Sequence, residues 1–126
     1  MPYPIVDIGA NLTHDTFDDD RDEMMQRAVD AGIAKMVVTG SSDQGNKDAA
    51  ALAEAHPGLL YATAGVHPHH ASDYDDDSAE LIRALAKSDV VVAIGECGLD
   101  YFRNYSPRDA QLGAFRSQLE IAAETG

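Results

Sequence analysis

A glutamate closes the most apolar run of the chain, Val90-Val91-Val92-Ala93-Ile94-Gly95-Glu96, and Cys97-Gly98-Leu99-Asp100 follows it. A carboxylate at the end of a buried strand keeps its charge only when it is paired, hydrogen-bonded or bound to a metal. A divalent cation would satisfy Glu96; so would a salt bridge to Arg103 or bonds from turn amides, and spacing alone does not choose between them. A second candidate group, His67-Pro68-His69-His70, lies just past another apolar run. Pro68 stiffens that turn, and His67, nearest the strand, is placed to contact phosphate or to transfer a proton. His69 and His70 read as surface polar residues, because neighbours in an extended loop point apart.

The first apolar run carries Asp7, Gly9 and Asn11, the spacing at which many barrel hydrolases hold metal with Asp-x-His-x-His. Both histidine positions are empty. Asn11 offers a neutral amide oxygen, which suits a hard cation weakly and zinc poorly, and reads as a hydrogen-bonding residue of the same mouth. His14 reads as a loop residue. Cys97 is discounted as a nucleophile, since alternation turns it away from Glu96 and no basic partner in sequence activates it. Asp100, Arg103 and Asn104 read as residues that set loop geometry, with contact to phosphate as the alternative. The acidic runs Asp18-Asp19-Asp20 and Asp75-Asp76-Asp77 read as helix-start charges, because neither has the spacing of a calcium loop.

Four units, each a short apolar run followed by an amphipathic pattern, must position these residues. The first strand is Pro4 to Ile8, and its helix runs from about Asp18 to Ala31 with Met24, Met25, Ala28 and Val29 inward. Gly32 stops that helix. The second unit is Lys35 to Thr39 with a helix from about Gln44 to His56, ended by Pro57-Gly58. The third is Leu59 to Val66 with a helix capped by Ser78, burying Leu81, Ile82, Leu85 and Ala86. The fourth is Val90 to Gly95 with a helix opened by Ser106-Pro107-Arg108-Asp109, burying Leu112, Phe115, Leu119 and Ala122. Alternating strand and helix predict an α/β fold with a parallel sheet, the Val90 to Ile94 strand covered on both faces. Ligands of such sheets bind at the C-terminal strand ends, where Asp7 to Asn11, Ser41-Ser42, His67 to His70 and Glu96 to Asp100 all fall.

The chain of 126 residues reads as one domain, 1–126. Its 22 acidic and 9 basic residues give a formal charge of −13, the wrong sign for holding nucleic acid by a general field. A phosphate substrate would need local help such as a bound cation. A single cysteine excludes an internal disulfide and a multi-thiolate zinc site. No segment has the apolar length to span a bilayer, and Met1-Pro2-Tyr3-Pro4 leads into a strand without a signal-type core, so a cytoplasmic location is expected.

Val6-Asp7-Ile8-Gly9-Ala10-Asn11-Leu12, Ala64-Gly65-Val66-His67-Pro68-His69 and Ala93-Ile94-Gly95-Glu96-Cys97-Gly98-Leu99-Asp100 together resemble the TatD family of metal-dependent deoxyribonucleases. Phe17, Asp20-Arg21, Ala31-Gly32-Ile33 and Thr39-Gly40 extend the resemblance over the whole chain. It implies a TIM-like, amidohydrolase-type barrel of which these four units are the N-terminal half. It also implies hydrolysis of DNA phosphodiester bonds with a divalent cation (Mg, Mn or Zn), Glu96 as a metal ligand and His67 near the substrate. Gly9 and Asn11 in place of the His-x-His pair match the TatD-proper branch. The family's later strands bring a His-x-Arg motif, a further histidine and a Thr-Asp-x-Pro aspartate, none of which is present here. The resemblance therefore implies that the nuclease is a longer protein and that these residues alone lack a complete site. A second copy or a separate chain closing the barrel is the other expectation. The alternatives are a non-catalytic fragment or half-barrel assembly module, and an amidohydrolase-type enzyme acting on a small ester or amide.

Overall fold

The structure, a computed structural model, describes residues 3–126; Met1 and Pro2 of the leading segment lie outside the described residues. Four strands alternate with four helices: β1 (Ile5–Ala10), α1 (Arg21–Asp30), β2 (Ile33–Val38), α2 (Asp43–Ala55), β3 (Leu60–Ala64), α3 (Asp76–Leu85), β4 (Val91–Ile94) and α4 (Arg108–Thr125). Short 3₁₀ segments, Asp15–Phe17 and Pro68–Asp73, follow β1 and β3. All three strand pairings are parallel and the order is β1-β2-β3-β4. Each helix thus returns the chain to the strand next door, the wiring of a barrel wall, and the expected α/β half-barrel of four units is what forms. β1 and β4 are the outer strands of this sheet.

The core lies between one sheet face and the helices. Met25, Met36, Val38, Ala49, Ala53, Leu60 and Ala62 form one buried cluster, and Ala64, Val66, Ala79, Ile82 and Ile121 a second. Small residues on α2, Ala49 and Ala53, let that helix sit close against β3. On the other sheet face the expectation of double burial is corrected. Val91 packs on the helix side, but Val92, pointing the opposite way by the two-residue period of a strand, is 53 % exposed, and Val6 and Ile8, two residues apart on β1, are exposed as well. A strand this apolar is built for two covered faces, and only one is covered by these residues.

Three local expectations are also corrected. Asp75, not Ser78, caps α3: the Asp75 carboxylate accepts from the Ser78 amide at 2.9 Å while the Ser78 hydroxyl accepts from the Asp75 amide at 3.2 Å, a reciprocal capping box with Ser78 one turn inside. Ser106 does not cap α4, whose N-cap position is Pro107. It is buried instead, its hydroxyl accepting from Ser72 N and donating to the His69 carbonyl. The buried stripe of α4 is Gln111, Ala114, Gln118 and Ile121, one residue ahead of the predicted one, while Leu112 and Leu119 are 48 % and 53 % exposed. One residue is about 100° of helix rotation, and the reason is polar: the two glutamines meet backbone groups that a leucine would leave unpaired.

Candidate functional site

The C-terminal ends of β2, β3 and β4 are tied to one another beyond the regular ladder. Gly95 N donates to Ala64 O at 3.0 Å, Glu96 N to Gly40 O at 2.7 Å and His67 N to Ser41 O at 2.9 Å. From α2, the Asn46 carbonyl oxygen accepts from Gly65 N at 3.0 Å. Gly65 is required by close approach: a Cβ there would stand 2.5 Å from the Gly95 carbonyl carbon. The Gly95–Glu96 peptide bond is cis. Glu96 therefore leaves the sheet from a position bonded to two neighbouring strand ends.

Its side chain is 52 % exposed, and Oε1 lies 3.5 Å from His67 Nε2. The salt bridge to Arg103 left open by the sequence is not made, since Arg103 turns to Asp100, Nη1 to Oδ2 at 3.1 Å. On the opposite side of its ring, His67 Nδ1 accepts the His69 backbone N–H at 3.0 Å. Burial lowers the His67 pKa from its ordinary value and outweighs the nearby Glu96 carboxylate, which acts in the other direction. The imidazole is thus neutral at neutral pH, a polar group facing a half-exposed carboxylate.

His69 corrects the expectation of a surface residue. The segment is a 3₁₀ turn rather than an extended loop, so its side chains do not alternate. His69 Nε2 meets Asp100 Oδ2 at 2.7 Å, and the His69 ring packs edgewise between His67 and Tyr105, with centroids 4.1 and 4.8 Å away. His70 is exposed. Asp100 also accepts from Arg103 N at 3.0 Å, and that backbone bond, followed by the His69 contact, holds its carboxyl down at about 2. Gln111 secures the loop, accepting from Asp100 N at 2.8 Å and donating to Ser106 O at 2.8 Å.

A carboxyl lowered on folding stabilises the fold above its unfolded pKa and loses that contribution as pH falls through its folded one. Between about pH 4 and about 2, Asp100→Asn is therefore expected to flatten the acid side of the stability curve relative to the parent chain, as read by urea midpoints at stepped pH. Equal slopes in that window would show that Asp100 does not carry the linkage.

The other candidates stand apart. Asp7 is occupied within β1 itself, its carboxylate accepting from Gly9 N at 3.0 Å. Asn11 is exposed, and the hydrogen bond expected of its side chain is not made among the described residues. His14 caps the 3₁₀ segment after β1 through Thr16 N. The Cys97 thiol is pushed up by burial and by Glu96, away from the thiolate a nucleophile needs. Among the described residues no three His, Cys, Asp or Glu side chains converge to hold a metal ion. Glu96 is chemically suited to a hard cation but supplies a single donor group, where sites of this kind use several; the present residues do not fit a complete metal site by themselves.

Sequence reasoning passed over Gln111 and Gln118, although a signal was there. Gln111, Ala114, Gln118 and Ile121 recur at helical spacing on one face, and a polar pair two turns apart inside an alanine-rich helix marks buried backbone partners.

Residues 6–126 match the family described as TatD related DNase. The chain is 51 % identical over 118 residues to a protein of Pantoea sp. (strain At-9b) named 3'-5' ssDNA/RNA exonuclease TatD, a match covering 94 % of this chain and 45 % of that protein. Its fold superimposes on the crystal structure of YJJV, a TatD homolog from Escherichia coli k12, with TM-score 0.86 and 29 % identity over 96 % of this chain and 47 % of that one. A hydrolase TatD family protein of Entamoeba histolytica matches with TM-score 0.80 and 27 % identity, over 96 % of this chain and 46 % of that one. The chain spans about half the length of the curated relatives it matches.

Proposed function

This chain belongs to the TatD related DNase family, and on that premise we propose that residues 1–126 are part of one hydrolase domain whose whole protein cleaves phosphodiester bonds of single-stranded DNA or RNA from the 3' end. The observation that carries the reading is the placement of Glu96 beside His67 at the ends of adjacent strands β4 and β3, within a chain half identical to a protein named as such an exonuclease. Glu96 is proposed as this half's ligand to a divalent cation (Mg, Mn or Zn), completed by residues outside it, and His67 as the group that meets the substrate. These 126 residues carry a formal charge of −13, so this half contributes no attractive general field and meets the nucleic acid through local contacts at the mouth. The reading includes a cytoplasmic location; among the described residues no helix is long and apolar enough to cross a membrane.

The test is an assay of the intact protein on end-labelled single-stranded DNA and RNA with the 3' end free or blocked. Stepwise shortening from a free 3' end, abolished by a chelator and restored by added divalent metal, is the expected result, with these 126 residues alone inactive. Hydrolysis confined to small esters or amides would favour the amidohydrolase-type alternative, and inactivity of the intact protein on every substrate the non-catalytic one.

A further inference from the structure

A neutral imidazole carries one N–H and one ring lone pair, and the partner of one nitrogen decides the state of the other. At His67 that decision is made by the backbone. The His69 amide is a donor, so Nδ1, which accepts from it at 3.0 Å, must offer its lone pair, and the proton sits on Nε2, the atom 3.5 Å from Glu96. The amide that does this is itself anchored. The His69 carbonyl accepts from Ser106 Oγ at 3.0 Å, and its ring is bonded to Asp100 at 2.7 Å while packing edgewise on His67.

We propose that His67 serves the mouth as a fixed Nε2–H donor to an anionic phosphate oxygen and not as a metal ligand, and that His69 and Asp100 are the positioning residues that hold it in this state. The lone pair a cation would need at Nε2 does not exist in this tautomer, so of the two only Glu96 would ligate a metal. His69 and Asp100 never touch substrate; they act through the amide and the ring edge that fix His67. The inference rests on the phosphodiesterase reading for its substrate, whereas the tautomer itself does not depend on turnover.

Histidine nitrogen chemical shifts read the tautomer directly. In the intact protein labelled at histidine nitrogen, at about pH 8 where imidazoles are neutral, His67 is expected to show a pyridine-like Nδ1 and a pyrrole-like Nε2. The same pattern should persist when magnesium or zinc is added alone. Asp100→Asn and, as a second route that keeps the ring packing, His69→Phe should each move His67 toward the averaged shifts of a mixed tautomer. Arg103→Ala, which removes only the exposed partner of Asp100, should leave it unmoved. A pyrrole-like Nδ1 or averaged shifts in the parent, or metal-induced loss of the Nε2 proton, would overturn the donor assignment. His67 unmoved in both positioning variants, or moved equally by Arg103→Ala, would overturn the roles of His69 and Asp100. A silent nuclease with the expected shifts would instead count against the proposed function and leave this inference standing.

Discussion

Replacing Glu96 by glutamine in the intact protein is expected to lower nuclease turnover by more than about 100-fold. Changes to residues that merely orient a metal ligand cost about 10- to 100-fold, and a change to the ligand itself should exceed that range. Glutamine keeps the shape of the side chain and one carbonyl oxygen but removes the charge that a hard cation needs. Stability should scarcely change. Glu96 is 52 % exposed and among the described residues its side chain has a single close partner, His67 at 3.5 Å, so the expected shift is within about 0.5 kcal/mol, the usual range for surface substitutions. Turnover and urea midpoint measured on the same preparations separate the two effects. Loss of activity with an unchanged midpoint is the signature of a ligand. Activity retained to within a few-fold would remove Glu96 from the metal site, and a large drop in midpoint would make it a structural residue.

How much of this was legible in the sequence depended on which physical rule governed each element. Alternating apolar runs and helical patterns specify the four units, because burial of a strand face or a helix stripe dominates their energetics. That Glu96 and His67 fall at neighbouring strand ends was legible for the same reason, since the strands that end beside them are unmistakable. The N-cap of α3 lies three residues before the expected one, because Asp75 and Ser78 cap each other's amides reciprocally and either side chain alone fits the sequence signal. An extended loop after Pro68 would place His69 at the surface. The 3₁₀ turn after Pro68 brings it onto Asp100, a partner 31 residues away that no local rule reveals. The apolar run Val90 to Ile94 predicts burial on both faces, but Val92 is exposed, because the four strands here form one sheet with helices on one side only.

The rotation of α4 offers the sharpest contrast between hydrophobic pattern and backbone satisfaction. Gln118, 1 % exposed, accepts from Val66 N at 2.8 Å and donates to Val66 O at 3.2 Å, which clasps the residue that precedes His67. Gln118→Leu keeps the volume approximately and raises the apolar content, so on hydrophobicity alone it should stabilise. It also leaves a buried amide and a buried carbonyl without partners. Each such group costs about 1–3 kcal/mol, and the expected loss in the 126-residue chain is about 2–5 kcal/mol. Leu119→Gln, the reverse exchange one residue on, alters a side chain that is 53 % exposed and should stay within about 0.5 kcal/mol. Urea unfolding of the pair, with unchanged slopes confirming that both variants unfold from comparable folds, decides the matter. A leucine stripe facing inward would predict the opposite order, so a severe Leu119→Gln beside a harmless Gln118→Leu would overturn this account of α4. The expected order means that the helix is oriented by two backbone groups at the end of β3, and that the fourth unit holds the third unit's histidine in place.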